Sequence, residues 1–133
     1  MDTLSRAERS ARMALVRSKD SKFELRVRSA LHKLGYRYRK HDRSLPGKPD
    51  LVFPSRRKVI FLHGCFWHGH RCRLGRVPKT RTEYWLPKIS GNRSRDQKNI
   101  RALRKLGWNT LIIWECQLSQ FDAVIARMER FLD

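Results

Sequence analysis

The chain has 133 residues, 40% of them hydrophobic and 10% aromatic. This size and composition predict one globular domain with its own core and exclude a disordered chain. The 31 lysines and arginines outnumber the 12 acidic residues, for a formal net charge of +19. Such a charge attracts polyanions, so nucleic acid is the first partner to expect. A membrane surface is the alternative, but no helical pattern sets a clean apolar face against a basic one.

Targeting and membrane signals are missing from the sequence. No stretch approaches the roughly 18 apolar residues of a membrane span, and the N-terminus lacks the apolar segment of a signal peptide. We therefore expect a cytoplasmic protein that is associated with the nucleoid through DNA and has no membrane partner. Thiols stay reduced in that compartment, and an odd number of cysteines argues further against a disulfide framework.

Two helices are predicted at the start of the chain, at about 6–17 and 22–34. Each begins with a serine that is followed three residues later by glutamate, the capping-box pattern, and Gly35 ends the second. The second helix has an apolar face, whereas the first has only a thin alanine stripe among arginines. We expect residues 1–20 to form an N-terminal arm that orders on DNA.

The rest of the chain predicts an α/β fold, a single domain over 1–133 with a central mixed β-sheet flanked by helices. The strands are an exposed edge strand, an antiparallel hairpin and a last strand that is apolar on both faces and therefore central. A helical region before that last strand implies a parallel crossover. The predicted strands are 36–40, 50–53, 58–62 and 108–115, and the helices are 82–89, 92–106 (with Ile100, Leu103 and Leu106 inward) and 121–132.

The segment 63–80 has no periodicity and is rich in histidine, cysteine and glycine, so we expect a metal to hold it. Cys65, His70 and Cys72 have zinc-ligand chemistry, and Cys116 after the last strand completes a Cys3His set. Three unrelated free cysteines are the alternative, which the collection of cysteines around one histidine-rich loop disfavours. A closed set of four ligands is structural and not catalytic.

Asp50 follows Pro49 at the start of a strand and is a candidate Mg²⁺ ligand, because hard cations take oxygen donors. From this residue alone a turn cap or an ion pair is the better interpretation. The Pro-Asp pair, the turn and the second strand are similar, however, to the frame of the restriction-endonuclease-like nucleases. Their second strand carries an acidic residue and a lysine, where this chain has Phe61 and His63. A metal here must depend on Asp50, a backbone carbonyl and water, and proton transfer must depend on histidine.

His63 and His68 flank the cysteine-rich loop and could accept a proton from water near neutral pH. A hydrogen-bonded structural histidine is the alternative for each, and the residues alone leave both interpretations open. Glu24 has a structural explanation of its own, since it completes a capping box.

Aromatic residues divide into two groups. Phe66 and Trp67 are consecutive in a basic loop and, with Trp85, suit stacking on bases or wedging between them. Trp108 and Trp114 lie on the last predicted strand, so we expect them to pack in the core.

At these residues the chain resembles the endonucleases of very short patch repair, which nick DNA at T·G mismatches left by deamination of 5-methylcytosine. The matching stretches cover nearly the whole chain in the family's order, and the central one is highly specific. They are Arg9-Ser10-x-x-Met13, Ser44-Leu45-Pro46-Gly47-x-Pro49-Asp50, His63-Gly64-Cys65-Phe66-Trp67-His68-x-His70-x-Cys72, Thr80-Arg81-Thr82-Glu83-x-Trp85-Leu86-x-Lys88-Ile89, and Leu106-Gly107-Trp108 through Trp114-Glu115-Cys116.

The resemblance implies a restriction-endonuclease-like fold with catalytic Mg²⁺ on Asp50 and on the backbone carbonyl of Leu62, and structural zinc on the Cys3His set. His63 and His68 would position or activate water, and Glu24 would support the site.

The resemblance also implies which residues contact DNA. Three aromatic side chains would enter the base stack beside the mismatch from the major-groove side, a methionine of the arm would approach from the minor groove, and two polar side chains would lie near the bases. The aromatic side chains are Phe66, Trp67 and Trp85, the methionine is Met13, and the polar side chains are Lys88 and Asn92.

Two positions depart from the family pattern. Leu62 replaces the usual threonine, which preserves a backbone carbonyl but not a hydroxyl. Gly69 replaces a polar residue, which we expect to loosen the loop.

The function that the resemblance implies is a Mg²⁺-dependent DNA endonuclease that nicks 5′ of the mismatched thymine and leaves 5′-phosphate and 3′-hydroxyl ends. It would act as a monomer on double-stranded DNA, with mismatch-repair accessory proteins and a repair polymerase as further partners. The alternatives are a zinc-stabilised DNA-binding module without catalysis and a nuclease of the same fold without mismatch preference.

Overall fold

The computed structural model describes residues 21–77 and 79–133. Along the chain they belong to two compact units, one that ends at Gly35 and one that runs from Tyr36 to Asp133. The predicted helix at 6–17, and Met13 with it, lies outside the described residues.

The first described helix, α1, runs Lys22–Lys33, close to the predicted bounds. The Ser21 hydroxyl accepts a hydrogen bond from the Glu24 backbone N–H at 3.3 Å, which satisfies one of the free amides at the helix start. Gly35 follows the helix with a φ of +94°, as expected of a glycine at a helix end. The buried apolar face of α1 contains Phe23, Val27 and Leu31.

Four strands form a mixed sheet in the second unit: β1 (Arg39–Lys40), β2 (Leu51–Phe53), β3 (Lys58–His63) and β4 (Asn109–Trp114). They lie side by side in chain order. β1 pairs antiparallel with β2, β2 pairs antiparallel with β3, and β3 and β4 are parallel. These pairings confirm the predicted hairpin and the parallel crossover. β1 is the exposed edge strand that was expected, although it is shorter than predicted.

The prediction that the last strand is central is wrong, because β4 lies at an edge of the described sheet. Two helices, α2 (Thr82–Lys105) and α3 (Phe121–Leu132), both contact β4. Helices therefore account for the apolar residues of β4, and a further strand is not needed. The interior strands are β2, which is buried throughout, and β3, which is buried from Val59 to His63.

The predicted division of the region before β4 into two helices, at 82–89 and 92–106, is also wrong, because α2 is continuous. Pro87 removes one backbone hydrogen bond inside α2, and Gly91 lowers its intrinsic helix propensity. Tertiary packing outweighs both local costs, since α2 buries three large side chains. They are Trp85, Ile89 and Leu103.

The main hydrophobic cluster includes Leu103 and Trp108, as predicted. Leu106 was also expected inward, but it is 52% exposed because α2 ends at Lys105 and the chain reverses at Gly107 with a φ of +88°. Trp114 is likewise not a core residue, since it is only half-buried at the end of β4. The other members of the cluster are Val52, Val59 and Phe61.

The last helix, α3, has the predicted bounds. Its final carbonyl groups accept hydrogen bonds from two cations of the hairpin, at 2.5 Å from Lys58 Nζ to Phe131 and at 2.8 Å from Arg56 Nη1 to Leu132. Positive charge at a helix C-terminus is favourable, so these contacts fix α3 to the sheet. Among the helices that the structure describes, none has the length and apolar character required to cross a bilayer.

Candidate active site and metal centre

The carboxyl ends of β3 and β4 lie next to each other, because the strands are parallel and His63 pairs in register with Trp114. Cys65 follows β3 by two residues, and Cys116 follows β4 by two. Loops beyond the carboxyl ends of parallel strands commonly carry ligand sites. The candidate site lies at this end of the sheet.

The four predicted zinc ligands come together. One donor atom from each of Cys65, His70, Cys72 and Cys116 lies within 4.8 Å of the other three. A tetrahedral ion with metal–sulfur bonds of about 2.3 Å needs donors about 3.8 Å apart, so small movements would complete its shell. Cys65 also accepts hydrogen bonds from the His70 N–H through its carbonyl (3.0 Å) and from the Cys116 N–H through Sγ (3.3 Å). The donor chemistry and spacing fit a tetrahedral cation.

The three thiols have different acidities. Burial raises the pKa of Cys65 to about 12, and burial also raises the pKa of Cys116. Burial acts in the same direction on Cys72, but hydrogen bonds from His70 and Cys65 outweigh it and lower the pKa of Cys72 to about 7. One thiolate therefore forms readily near neutrality, and a bound cation would favour ionisation of the other two.

Asp50 lies directly before β2 with its carboxylate against the backbone of β3. Its Oδ2 accepts a hydrogen bond from the Leu62 N–H at 2.6 Å, and its Oδ1 is 3.8 Å from His41 Nδ1. The N–H and C=O groups of one residue in an antiparallel pair face the same neighbouring strand. The Leu62 carbonyl therefore faces the side of β3 on which Asp50 lies. The Asp50 carboxylate and the backbone of Leu62 are therefore neighbours, and their joint use as oxygen donors for Mg²⁺ stays a prediction.

His63 and His68 stack face to face, with ring centroids 3.7 Å apart and planes inclined by 3°. His68 Nδ1 is 2.6 Å from Asp96 Oδ2, which assigns the Nδ1 proton to this contact and leaves Nε2 as the basic nitrogen. His63 is 4% exposed, and its Nδ1 has no hydrogen-bond partner among the described residues. Burial, followed by the neighbouring His68, lowers the pKa of His63 to about 3. His63 is therefore neutral at physiological pH, whereas His68 has a carboxylate partner in Asp96.

Trp114 contacts all three histidines at this end of the sheet. Its ring stacks on His70 with centroids 4.2 Å apart, and it meets His63 and His68 at steep angles with centroids 5.1 and 6.4 Å away. The backbone N–H of Trp114 donates to Gln117 Oε1 at 2.9 Å, which holds the end of β4. Trp114 is a wall shared by the Cys3His cluster and the histidine pair.

Sequence reasoning missed Asp96, His41 and the position of Trp114. Asp96 had a readable signal, because it lies seven residues from both Ile89 and Leu103 and so shares the inward side of α2 with them. A carboxylate between two buried apolar positions of a helix calls for a partner. His41 had no comparable signal, since only the pairing of β1 with β2 places it beside Asp50.

The predicted base-stacking aromatics form one cluster. Phe66 meets Trp67 and Trp85 edge to face, with centroids 5.0 and 5.2 Å apart, and the two tryptophan rings are 6.0 Å apart. Lys88 Nζ lies 5.6 Å from the Trp67 ring, and Asn92 Nδ2 donates to the Trp67 carbonyl at 2.8 Å. Trp67 and Trp85 are 8% and 7% exposed, so entry into a base stack requires this cluster to open.

Glu24 and Gly69 are the other singled-out residues within the described chain. Glu24 Oε2 is 3.7 Å from Arg28 Nη1 on α1, and its role in supporting a metal site stays a prediction. Gly69 was expected to loosen its loop, but the structure packs it tightly. It has a φ of +64°, and a Cβ there would lie 2.6 Å from Arg93 Cδ and 2.7 Å from Ile89 Cγ2.

Known proteins resemble this chain over most of its length. The family model described as DNA mismatch endonuclease Vsr matches residues 1–74. The type II nicking enzyme V.XorIIP of Xanthomonas oryzae pv. oryzae is 53% identical over 132 residues, which is 99% of this chain and 97% of that protein. The DNA mismatch endonuclease Vsr of Escherichia coli is 49% identical over 117 residues, 88% of this chain and 75% of that protein. The chain therefore belongs to the Vsr family of DNA mismatch endonucleases.

Proposed function

We propose that this endonuclease nicks DNA 5′ of the thymine in T·G mismatches produced by deamination of 5-methylcytosine, and so initiates very short patch repair. Family membership and the names of the relatives, a mismatch endonuclease and a nicking enzyme, support the proposal. A hairpin followed by a parallel crossover in a mixed sheet supports a restriction-endonuclease-like fold. Accessory repair proteins and a polymerase would complete the repair after the nick.

The observation that carries this proposal is the meeting of two chemistries at one end of β3. The Asp50 carboxylate and the Leu62 backbone provide oxygen donors beside the strand. His63 ends the same strand and stacks on His68, which is paired with Asp96. Hydrolysis of a phosphodiester requires both charge stabilisation at the phosphate and a base for the attacking water.

The oxygen donors suit Mg²⁺, which we propose binds to Asp50 and to the carbonyl of Leu62. When bound, Mg²⁺ would stabilise the charge that develops on the phosphate. The Leu62 N–H orients the Asp50 carboxylate, and a backbone carbonyl does not depend on the side chain. Leucine in place of the family threonine is therefore compatible with this site.

We assign proton transfer to His68. Its Nδ1 is held by Asp96, so Nε2 can accept a proton from water while the carboxylate stabilises the resulting imidazolium. His63 is buried against the His68 ring and holds it in place by stacking. The two histidines thus have different roles, one as the base and one as its support.

The Cys3His cluster is proposed to hold structural zinc. All four positions of a tetrahedral shell are filled by protein donors, which leaves none for water or substrate. The ion would fix the loop after β3 to the segment after β4. Since His68 is two residues from His70, the same ion would help to position the base.

Mismatch recognition is proposed to use the aromatic cluster of Phe66, Trp67 and Trp85. Insertion of aromatic rings between bases is a known means of opening a duplex, and base stacking contributes about 1–3 kcal/mol per base. Lys88 lies over the Trp67 ring and would follow the cluster toward the DNA. Met13 of the arm and Asn92 are further proposed DNA contacts.

The test is nicking of matched T·G and T·A duplexes in Mg²⁺ by the wild-type, Asp50→Asn and Leu62→Thr proteins. We expect a nick only in the T·G duplex, with 5′-phosphate and 3′-hydroxyl ends. Asp50→Asn should lose nicking by several orders of magnitude while it still binds DNA, because a neutral amide is a poor Mg²⁺ ligand. Leu62→Thr should stay within a few-fold of the wild type.

Each step has its own contrary result. Equal nicking of both duplexes would leave a nuclease without mismatch preference. Near wild-type nicking by Asp50→Asn would place the metal elsewhere. Trp67→Ala should reduce the preference for T·G over T·A more than it weakens binding to T·A, and equal losses on both duplexes would assign Trp67 to the core.

A further inference from the structure

A basic cavity of about 420 Å³ lies between the loop of the Cys3His cluster and α2. Arg71 and Arg76 line it from the loop, and Arg93 lines it from α2. Neither aspartate nor glutamate is among the residues that line it. The cavity is distinct from the donors proposed for Mg²⁺, and its three cationic side chains have no part in the chemistry described above.

The three guanidinium groups have no partner among the described residues. Arg71, Arg76 and Arg93 make no ion pair, side-chain hydrogen bond or ring contact with the part of the chain that the structure describes. Other arginines do have partners: Arg57, for example, donates to the Leu106 carbonyl at 2.7 Å. The positive charges around the cavity repel each other, and an anion bound between them would offset this repulsion by attracting all three.

Two glycines place these arginines at the cavity. A Cβ on Gly75 would lie 2.0 Å from the His70 carbonyl oxygen, so only glycine allows the turn that returns the loop, with Arg76, to Arg71. Gly69 likewise has no space for a Cβ, because the stem of Arg93 lies across it. The close backbone approach at Gly75 therefore fixes the turn that precedes Arg76, and the stem of Arg93 packs against the same loop at Gly69, although all three arginine side chains are exposed.

We propose that this cavity binds phosphate groups of the DNA backbone next to the mismatch. Guanidinium groups match phosphate oxygens in bidentate geometry and remain charged at all relevant pH values. Leu86 and Ile89 of α2 line the cavity, while Trp85 of the same helix turn belongs to the aromatic cluster and Lys88 lies over its Trp67 ring. A strand whose bases meet that cluster would pass its phosphates along the adjacent face of α2. The inference rests on the proposed function only in that DNA is the ligand.

The test is the salt dependence of DNA binding for the triple variant Arg71→Gln/Arg76→Gln/Arg93→Gln. Each lost phosphate contact lowers the slope of log K against log salt by about 0.9, so the slope should fall by about 2.7. The loss of affinity relative to wild type should then be about 40-fold smaller at 200 mM than at 50 mM salt. The control is Lys98→Gln/Lys105→Gln/Arg130→Gln, which removes the same charge from exposed positions outside the cavity.

An equal fall in slope for the control and the cavity variant would show a general charge effect and overturn the proposal. Phosphate contacts carry no sequence information, so the losses should be equal on T·G and T·A duplexes. A loss confined to the T·G duplex would mean that the cavity reads bases, which also overturns it. If wild-type protein fails to prefer T·G but the slopes change as expected, the proposed specificity fails and the phosphate site stands.

Two further measurements cover failure of the triple variant to fold. Each single arginine variant should lower the slope by about 0.9, and three unchanged slopes would refute the site. Gly69→Ser should displace Arg93 and lower the slope like Arg93→Gln, with bound zinc measured to confirm that the loop is intact. A wild-type slope in Gly69→Ser with intact zinc would show that Arg93 is not placed by Gly69.

Discussion

Replacement of Asp96 by asparagine tests the assignment of His68 as the base. The contact of 2.6 Å between His68 Nδ1 and Asp96 Oδ2 becomes charge-assisted when His68 takes up a proton. Hydrogen bonds to charged groups contribute about 1.5–3 kcal/mol, and about 1.4 kcal/mol corresponds to a factor of ten in rate. Asp96→Asn should therefore slow nicking by about 10- to 150-fold. His68→Ala removes the base itself and should cost about 10²–10⁴-fold.

The assay is single-turnover nicking of a T·G duplex at saturating enzyme, with DNA affinity and bound zinc measured on the same preparations. Saturation separates the chemical step from binding, so the rate of strand cleavage should fall while affinity is nearly unchanged. Asp122→Asn makes the same chemical change at an exposed position in the first turn of α3 and should nick within twofold of the wild type.

A double-mutant cycle decides whether Asp96 acts through His68. In a His68→Ala background, Asp96→Asn should have almost no further effect, because the group that it supports is gone. If the two losses multiply, or if Asp96→Asn nicks within twofold of the wild type, the pairing has no catalytic role and the assignment of the base is refuted.

Three further predictions follow from the geometry of the site. Metal analysis should find about one equivalent of zinc, and Cys72→Ala/Cys116→Ala should lose it together with the fold of the loop; retention of zinc by that variant would contradict the ligand set. Trp114→Leu should lower the nicking rate about 10-fold with unchanged DNA affinity, and Trp114→Phe should recover most of that rate. In a histidine-selective NMR spectrum, Trp114→Leu should shift the ring signals of His63 and His68 but not those of His32. Equal loss of rate in both variants would show that the aromatic ring has no positioning role. Burial lowers the pKa of His63 from 6.5 to about 3, so its contribution to stability is complete above about pH 6.5 and is lost as the pH falls toward 3. Urea titrations should therefore show that the unfolding free energy of His63→Phe falls by about 2 kcal/mol less than that of the wild type between pH 7 and pH 5.

The sequence by itself determined the features that depend on near neighbours in the chain. Helix α1 follows from the serine at its start, the apolar spacing after it and Gly35 at its end. The hairpin of β2 and β3 follows from two short apolar runs around Pro54 and Arg57. The three candidate ligands from Cys65 to Cys72 lie within eight residues, so their type and spacing predicted a metal centre. The motif around them indicated the family.

Only the tertiary structure decided the features that depend on distant contacts. Burial of Trp85, Ile89 and Leu103 keeps α2 continuous through Pro87 and Gly91, although local propensity predicts a break. Cover by α2 and α3 makes an edge strand apolar on both faces, which its own pattern cannot distinguish from a central strand.

The same limit applies to the site. Asp96 and His68 are 28 positions apart in sequence, and they meet because α2 packs against the loop that follows β3. Trp114 becomes a wall of the site because the parallel register places it opposite His63. A residue type shows which chemistry a side chain can perform. The partner that a side chain contacts depends on packing over the whole fold, and a short stretch of sequence does not contain that information.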